Sequence, residues 1–139
     1  MEISKLDVAT RQLESAIALH FSGGDYLAVV TLAGAAEEIL GKLLQRTGKR
    51  AMIDHLIDLD RELTGGRPFE IIRQEINGVR NSLKHANDPN EDKIVVEPGE
   101  AIAMLGRAVV NYVSLTESAT PAMVRVYRQL MKLHPDVAR

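Results

Sequence analysis

Hydrophobic residues recur every three or four positions through most of the chain, and helix-breaking residues separate these periodic runs. Such spacing places apolar side chains on one face of an α-helix. The pattern predicts a first helix over about residues 4–22, stopped by Gly23-Gly24, and a second over about 25–47, ended by Gly48. Alanines and glycines among the leucines of the second helix allow close neighbours, so we expect this helix to be central.

The same spacing predicts further helices in the second half of the chain. A shorter helix covers about residues 51–63, and Pro68 suits the first position of the next one, which ends before Asn87. Pro98 opens a fifth helix, and Pro121 either starts a final helix or kinks the fifth. The apolar side of that final segment is expected to carry Val124, Tyr127 and either Leu130 or Met131.

Residues 94–96, Ile-Val-Val, are expected to form a short extended stretch or a loop anchor, because they are too isolated for a sheet. We therefore predict an all-α, single-domain bundle of five to six helices. Its core covers about residues 4–118, and an extra C-terminal helix covers about 121–134.

Composition agrees with this fold class and excludes several functions. The 139 residues suit one domain, and 45% hydrophobic with only 4% aromatic residues favours helix-on-helix packing. The absence of cysteine excludes a disulfide framework, thiolate metal sites and thiol catalysis. The uncharged run over 26–36 is far shorter than the roughly 20 apolar residues of a membrane span. We expect a cytoplasmic protein that does not enter a membrane.

The formal net charge of −2 gives the chain no global positive field of the kind that binds nucleic acid nonspecifically. Two local clusters are basic, and each is either a solvated face or, if nucleic acid binds, part of a local groove. These clusters are Lys42, Arg46, Lys49 and Arg50, and Arg125, Arg128 and Lys132.

Residues 80–85, Arg-Asn-Ser-Leu-Lys-His, are the main candidate for chemistry, because they combine a permanent cation, an amide and a titratable imidazole. They end a predicted amphipathic helix. A step of about 100° per residue places Asn81 and His85 almost opposite its apolar stripe, with Arg80 on the shoulder. The stripe itself consists of Phe69, Ile72, Ile76, Val79 and Leu83.

The reverse side of this helix carries Gln74 and Gly78. Glycine inside a helix costs roughly 0.5–1 kcal/mol relative to alanine, so Gly78 suggests close approach by another backbone. The same helix of a second copy would fit there. We therefore assign Gln74 and Gly78 to a homodimer interface.

The motif at positions 80–85 resembles the Rx4-6H signature of HEPN domains, the "higher eukaryote and prokaryote nucleotide-binding" domains. Residues 24–26 leading into 32–40 resemble the second helix of that family, and the likeness covers about residues 8–118. The resemblance implies a dimer whose two motifs line one cleft and, in many members, metal-independent cleavage of RNA. Carried over by position, Arg80, Asn81 and His85 would be the active residues.

Physical chemistry makes such a role reasonable. A base can remove the proton of an RNA 2′-hydroxyl while a cation steadies the charge that develops on the phosphate. The imidazole of His85 can accept or donate a proton, the fork of Arg80 matches phosphate oxygens, and Asn81 can orient either group. Arg80 and His85 diverge by about 140° around an ideal helix, so we expect two motifs to complete one site across a dyad.

Other functions fit the same residues. Arg and His near a helix C-terminus often only complement the macrodipole. HEPN-like bundles also serve as noncatalytic nucleotide-binding or adaptor modules, and the family includes toxins held by a minimal nucleotidyltransferase antitoxin. The function that the resemblance implies is a metal-independent endoribonuclease with a toxin, RNA-processing or defence role. The alternatives are a noncatalytic RNA-binding or protein-interaction module and a purely structural helical dimer.

Lys84 and Glu38 are assigned to binding beside the motif. Glu37 and Glu38 are adjacent on a helix and must point in different directions. One of them is a candidate auxiliary acid, although pairing of Glu38 with Lys42 at the i,i+4 spacing explains Glu38 equally well.

The remaining titratable residues are interpreted structurally. Asp54 and Asp58 share a helix face that Asp60 does not, so we expect a solvated acidic face and predict no metal and no cofactor. His20 lies on an apolar stripe and is expected to be a hydrogen-bonded core histidine. His134 is assigned to a frayed tail.

Overall fold

A computed structural model describes residues 1–64, 77–86 and 88–133 of the chain. The described residues form helices and no strand, which confirms the all-α class. In chain order the helices are α1 (Lys5–Phe21), α2 (Tyr26–Arg46), α3 (Met52–Thr64), α4 (Gly78–Lys84), α5 (Gly99–Thr116) and α6 (Pro121–Leu133).

Local capping explains where the first two helices begin, and a glycine explains where α2 ends. The Ser4 hydroxyl accepts a hydrogen bond from the Asp7 amide at 3.0 Å, and the Asp25 carboxylate accepts one from Leu27 at 2.8 Å. Gly48, with φ 79°, supplies the left-handed turn that follows α2. The predicted first and second helices are confirmed.

The final segment is a separate helix and not a kinked continuation of α5. Glu117 adopts φ 57° just after α5, and its amide donates to the Val113 carbonyl at 2.8 Å. The Thr120 hydroxyl then accepts a hydrogen bond from the Met123 amide at 3.3 Å at the start of α6. The left-handed conformation of Glu117 ends α5, and the Thr120 cap begins a new helix. Pro121 therefore starts a separate helix and does not kink α5.

Helix α2 is central, as predicted, because it packs against both α1 and α5. Its small residues Ala33 and Ala36 are buried in the main core, and Gly34 is buried against Arg80 of α4. The largest fully buried apolar side chains of the main core are Leu13, Ile17, Val29, Val30, Leu40, Leu105, Met123 and Val126.

Two members of the predicted apolar stripe, Val79 and Leu83, pack against this core from α4. The other three and Pro68 lie outside the described residues. Between α4 and α5, Val96 accepts a hydrogen bond from the Tyr26 hydroxyl at 3.4 Å, whereas Val95 is 83% exposed. Residues 94–96 thus form a loop anchored to the start of α2.

The predicted apolar side of α6 is wrong at two positions. Val124 and Tyr127 are 37% and 57% exposed, whereas Met123 and Val126 are buried. The buried stripe continues to Leu130, which meets α5 at Gly106, where an added Cβ would lie 2.8 Å from Leu130 Cδ1. Both stripes have helical spacing, and the contact with α1 and α5 selects the one containing Met123.

No helix in the described ranges is long and apolar enough to cross a membrane.

Candidate functional site

The last residue of the motif lies beyond its helix. His85 adopts an extended conformation (φ −129°, ψ 142°) after α4, and its amide donates to the Asn81 carbonyl at 3.1 Å. The ideal-helix angle between Arg80 and His85 therefore does not apply. Both Asn81 and His85 are exposed, as a surface site requires.

Arg80, in contrast, is buried, with 7% of its surface exposed. Its Nη1 donates to Glu37 Oε2 at 2.7 Å, and the Glu37 side chain is only 2% exposed. Gly34, one helical turn before Glu37, leaves room for the arginine stem. The guanidinium that the sequence suggested for phosphate is thus engaged by a carboxylate of α2 in this structure.

A second buried arginine, Arg107, also forms an ion pair with Glu37. Arg107 of α5 donates from Nη2 to Glu37 Oε1 at 3.1 Å and to Asn77 Oδ1 at 3.0 Å. Asn111, one turn further along α5, donates to the Glu37 carbonyl at 3.1 Å and accepts from the Met52 amide at 2.8 Å. We call Glu37, Asn77, Arg80, Arg107 and Asn111 the Glu37 network.

The residues of the Glu37 network belong to three helices, α2, α4 with its N-cap, and α5, and their charged groups are expensive to bury. Each oxygen of the Glu37 carboxylate faces a different guanidinium, so one buried anion serves two buried cations. The Nε atoms of Arg80 and Arg107 are buried and have no hydrogen-bond partner among the described residues. Loss of the carboxylate would leave both cations uncompensated, which is the most costly way to break such an arrangement.

The sequence analysis missed Arg107 and Asn111 and gave Glu37 a different role. A signal was present, because Arg107 and Asn111 stand one turn apart inside an otherwise uncharged and largely apolar run, residues 101–113. Polar groups on a buried helix need partners, so such a pair indicates a buried network. Their partner was not visible, since Glu37 lies 70 positions away from Arg107.

Glu38, next to Glu37, is exposed and pairs with Lys84 of the motif, whose Nζ lies 3.1 Å from Glu38 Oε2. The two glutamates thus point in different directions, as predicted, but the partner of Glu38 is Lys84 and not Lys42. Partial burial acts to raise the pKa of Glu38. The hydrogen bond from Lys84 and the positive charges of Arg80, Lys84 and Lys42 act in the opposite direction and are stronger. The pKa of Glu38 therefore lies below its usual 4.5. Any stabilisation of the fold by the Glu38–Lys84 pair is fully present at a pH above the usual pKa of a glutamate. It is lost as the pH falls through the lowered pKa of Glu38 in the folded protein.

Two concave regions lie beside the motif. A cavity of about 50 Å³ adjoins Glu37, Asn77 and Arg80, and this space suits a few water molecules but no nucleotide. A larger groove of about 400 Å³ follows the outer side of α2. We call it the basic groove; its lining residues are Lys5, Ala35, Glu38, Ile39, Lys42, Leu43, Arg46 and Lys84.

The predicted dimer face is only partly described, because Gln74 lies outside the described residues. Gly78 is the first residue of α4, and a Cβ added there would have no described atom within 4 Å, so the described residues show no close backbone contact at this glycine. The assignment of Gln74 and Gly78 to a dimer interface stays a prediction.

The other candidates have structural contacts. His20 Nε2 lies 2.9 Å from Gln129 Oε1 and is half-buried, which confirms a hydrogen-bonded histidine. Asp58 forms an ion pair with Arg50 on the surface. The side chain of Asp60 and all of His134 are outside the described residues.

Gly34→Ala is expected to destabilise the protein. The new methyl group would lie 2.6 Å from Arg80 Cγ, and Arg80 cannot retreat without stretching its 2.7 Å bond to Glu37. Overpacking of this kind typically costs about 1–3 kcal/mol, which urea denaturation followed by circular dichroism would measure. Gly99→Ala is the control, because an added Cβ there meets nothing within 4 Å. Equal unfolding midpoints for the two variants would contradict the close packing of Arg80 on α2.

In comparisons with known proteins, no protein-family model matches the chain, and no curated protein or solved structure matches it significantly. The assignment of function therefore depends on the geometry described above.

Proposed function

We propose that the protein is a cytoplasmic, HEPN-type endoribonuclease that works as a dimer and needs no metal. The observation that carries this proposal is the exposed pair Asn81 and His85 beside Lys84, at the end of a helix that a buried ion pair fixes to the bundle. A fixed position matters because proton transfer requires the reacting groups to be held within hydrogen-bonding reach.

In the proposed reaction, His85 removes the proton of a ribose 2′-hydroxyl, and the resulting oxygen attacks the adjacent phosphorus. The bond from phosphorus to the 5′-oxygen breaks, and the His85 of a second copy protonates that leaving oxygen. The product strands carry a 2′,3′-cyclic phosphate and a 5′-hydroxyl. Lys84 supplies positive charge near the phosphate, and Asn81 orients it. Arg80 is a positioning residue, because it acts through Glu37.

The proposed reaction uses two histidines, one as base and one as acid, so it requires the dimer. Gly78→Leu is expected to convert a dimer into a monomer, because the larger side chain fills the space that we assign to the second copy. Multi-angle light scattering at micromolar protein would measure this change. Gly78→Ala is the milder control, and a monomeric wild-type protein would rule the arrangement out.

Incubation of the purified protein with end-labelled single-stranded RNA in excess EDTA tests the reaction. We expect cleavage products that end in a 2′,3′-cyclic phosphate or its 3′-phosphate hydrolysis product. A DNA strand of the same sequence should remain intact, because it lacks the attacking 2′-hydroxyl. An RNA that stays intact under all conditions would refute the ribonuclease proposal.

A second candidate function is a noncatalytic RNA-binding or protein-interaction module. The burial of the Arg80 guanidinium favours it, because a cation engaged by Glu37 is not free to bind a scissile phosphate. A nucleotidyltransferase-type antitoxin is the partner that the HEPN resemblance suggests for either function. RNA binding without cleavage by the wild-type protein would select this candidate.

A further inference from the structure

The charges around the basic groove are strongly unequal. Four cationic side chains and one carboxylate line it, and the carboxylate, Glu38, is paired with Lys84. The other three cations form no ion pair with any described residue; they are Lys5, Lys42 and Arg46. A concave region that four cations and only one carboxylate line carries an excess of positive charge, which attracts a polyanion.

The groove is also regular along the axis of α2. Lys42 and Arg46 are one turn apart, which is about 6 Å along a helix axis. That distance is comparable to the separation of successive phosphates in an extended nucleic-acid strand. Ala35, Ile39 and Leu43 form a parallel apolar row at the same spacing, and all three are partly buried. Phosphates can thus follow one row while sugars or bases contact the other.

The groove is continuous with the motif. Lys84 lines it and is the residue immediately before His85, the proposed base. A strand that occupies the groove along α2 would therefore contact Lys84, the chain neighbour of His85.

We infer that the basic groove is a binding track for the phosphate backbone of single-stranded RNA, and that Glu38 weakens this binding by holding Lys84. This inference rests on the proposed function for the identity of the ligand as RNA. Lys5, Lys42 and Arg46 are the phosphate-binding residues that it adds.

Salt dependence gives the inference a quantitative signature. Single-strand binding weakens with a log–log slope of about −0.7 per phosphate contact, so three contacts predict about a 20-fold loss of affinity between about 50 and about 200 mM salt. With Lys42→Gln/Arg46→Gln, one contact remains and the same loss falls to about 3-fold. With Glu38→Gln, Lys84 is released, the loss rises to about 50-fold, and the affinity at low salt increases.

Fluorescence anisotropy with a short labelled oligouridylate, in a His85→Ala background that prevents cleavage, would measure these values. The matched control is Arg11→Gln/Lys93→Gln, which removes two exposed charges outside the groove and outside both basic clusters. We expect this control to keep the parental salt slope. Circular dichroism melting would verify that every variant is folded.

Equal affinity and slope for the groove variant and its control would overturn the inference, and so would tighter binding of a polyglutamate peptide than of RNA. Failure of the inference is distinct from failure of the reaction. RNA bound through the groove but never cut by the wild type refutes only the ribonuclease. RNA cut normally by the groove variant, with unchanged affinity, refutes only the track.

Discussion

Glu37→Gln is expected to cause the largest loss of stability of any single polar substitution in the bundle. The side chain is 2% exposed and faces two arginines whose own exposure is 10% or less. Removal of one partner from a buried ion pair typically costs about 3–5 kcal/mol, because the remaining charge is left without compensation. Here two charges would remain. Urea denaturation, analysed for the free energy of unfolding, would measure the loss.

The adjacent residue provides the control for this measurement. Glu38→Gln makes the same chemical change one position along α2, but Glu38 pairs with Lys84 at the surface. Surface pairs contribute about 0–1 kcal/mol, so this variant should unfold close to the wild type. If the two variants lost the same amount, the Glu37 network would not be a main support of the fold.

A double-mutant cycle would separate the network from the individual residues. Arg80→Met removes one of the two cations, so the combination with Glu37→Gln should cost less than the sum of the two single changes. Additive losses would mean that Arg80 and Glu37 stabilise the bundle independently, contrary to their 2.7 Å contact.

His85→Ala is expected to reduce RNA cleavage by about 10²–10⁴-fold, because that is the usual contribution of a positioned proton-transfer group. The melting temperature should hardly change, since His85 is exposed and lies beyond the end of α4. Single-turnover cleavage of labelled RNA in EDTA, together with a thermal melt, would measure both quantities. The control is His55→Ala, an exposed histidine on α3 that should retain full activity.

Arg80→Ala should behave differently from His85→Ala. Arg80 is buried in the Glu37 network, so its loss should lower both activity and the melting temperature. The proposed division of roles fails if Arg80→Ala melts normally or if cleavage persists in His85→Ala. Persistent cleavage in the latter would point to a contaminating nuclease.

The helices and their ends could be predicted from the sequence because the forces that set them act over a few residues. Ser4 and Asp25 bond to amides two or three positions away, and Gly48 terminates α2 through its own backbone conformation. Apolar periodicity likewise located Val79 and Leu83 on the core side of the motif helix. These features depend on local geometry alone.

Tertiary structure decided the features that depend on distant partners. Helical spacing allowed two stripes on α6, and only packing against α1 and α5 selected the one with Met123. Periodicity placed Arg80 at the shoulder of its helix, but its burial follows from Glu37, which lies 43 positions earlier in the chain.

In the candidate site, too, some features follow from local sequence and others from contacts between distant residues. The sequence by itself determined the composition of the motif, its place at a helix end and the core-facing positions of Val79 and Leu83. Only the folded chain brings Lys5 of α1, Lys42 of α2 and Lys84 of α4 to one groove, and only there does Glu38 meet Lys84. Charge interactions act through space, so their energies are set by the packing of helices and not by the order of residues along the chain.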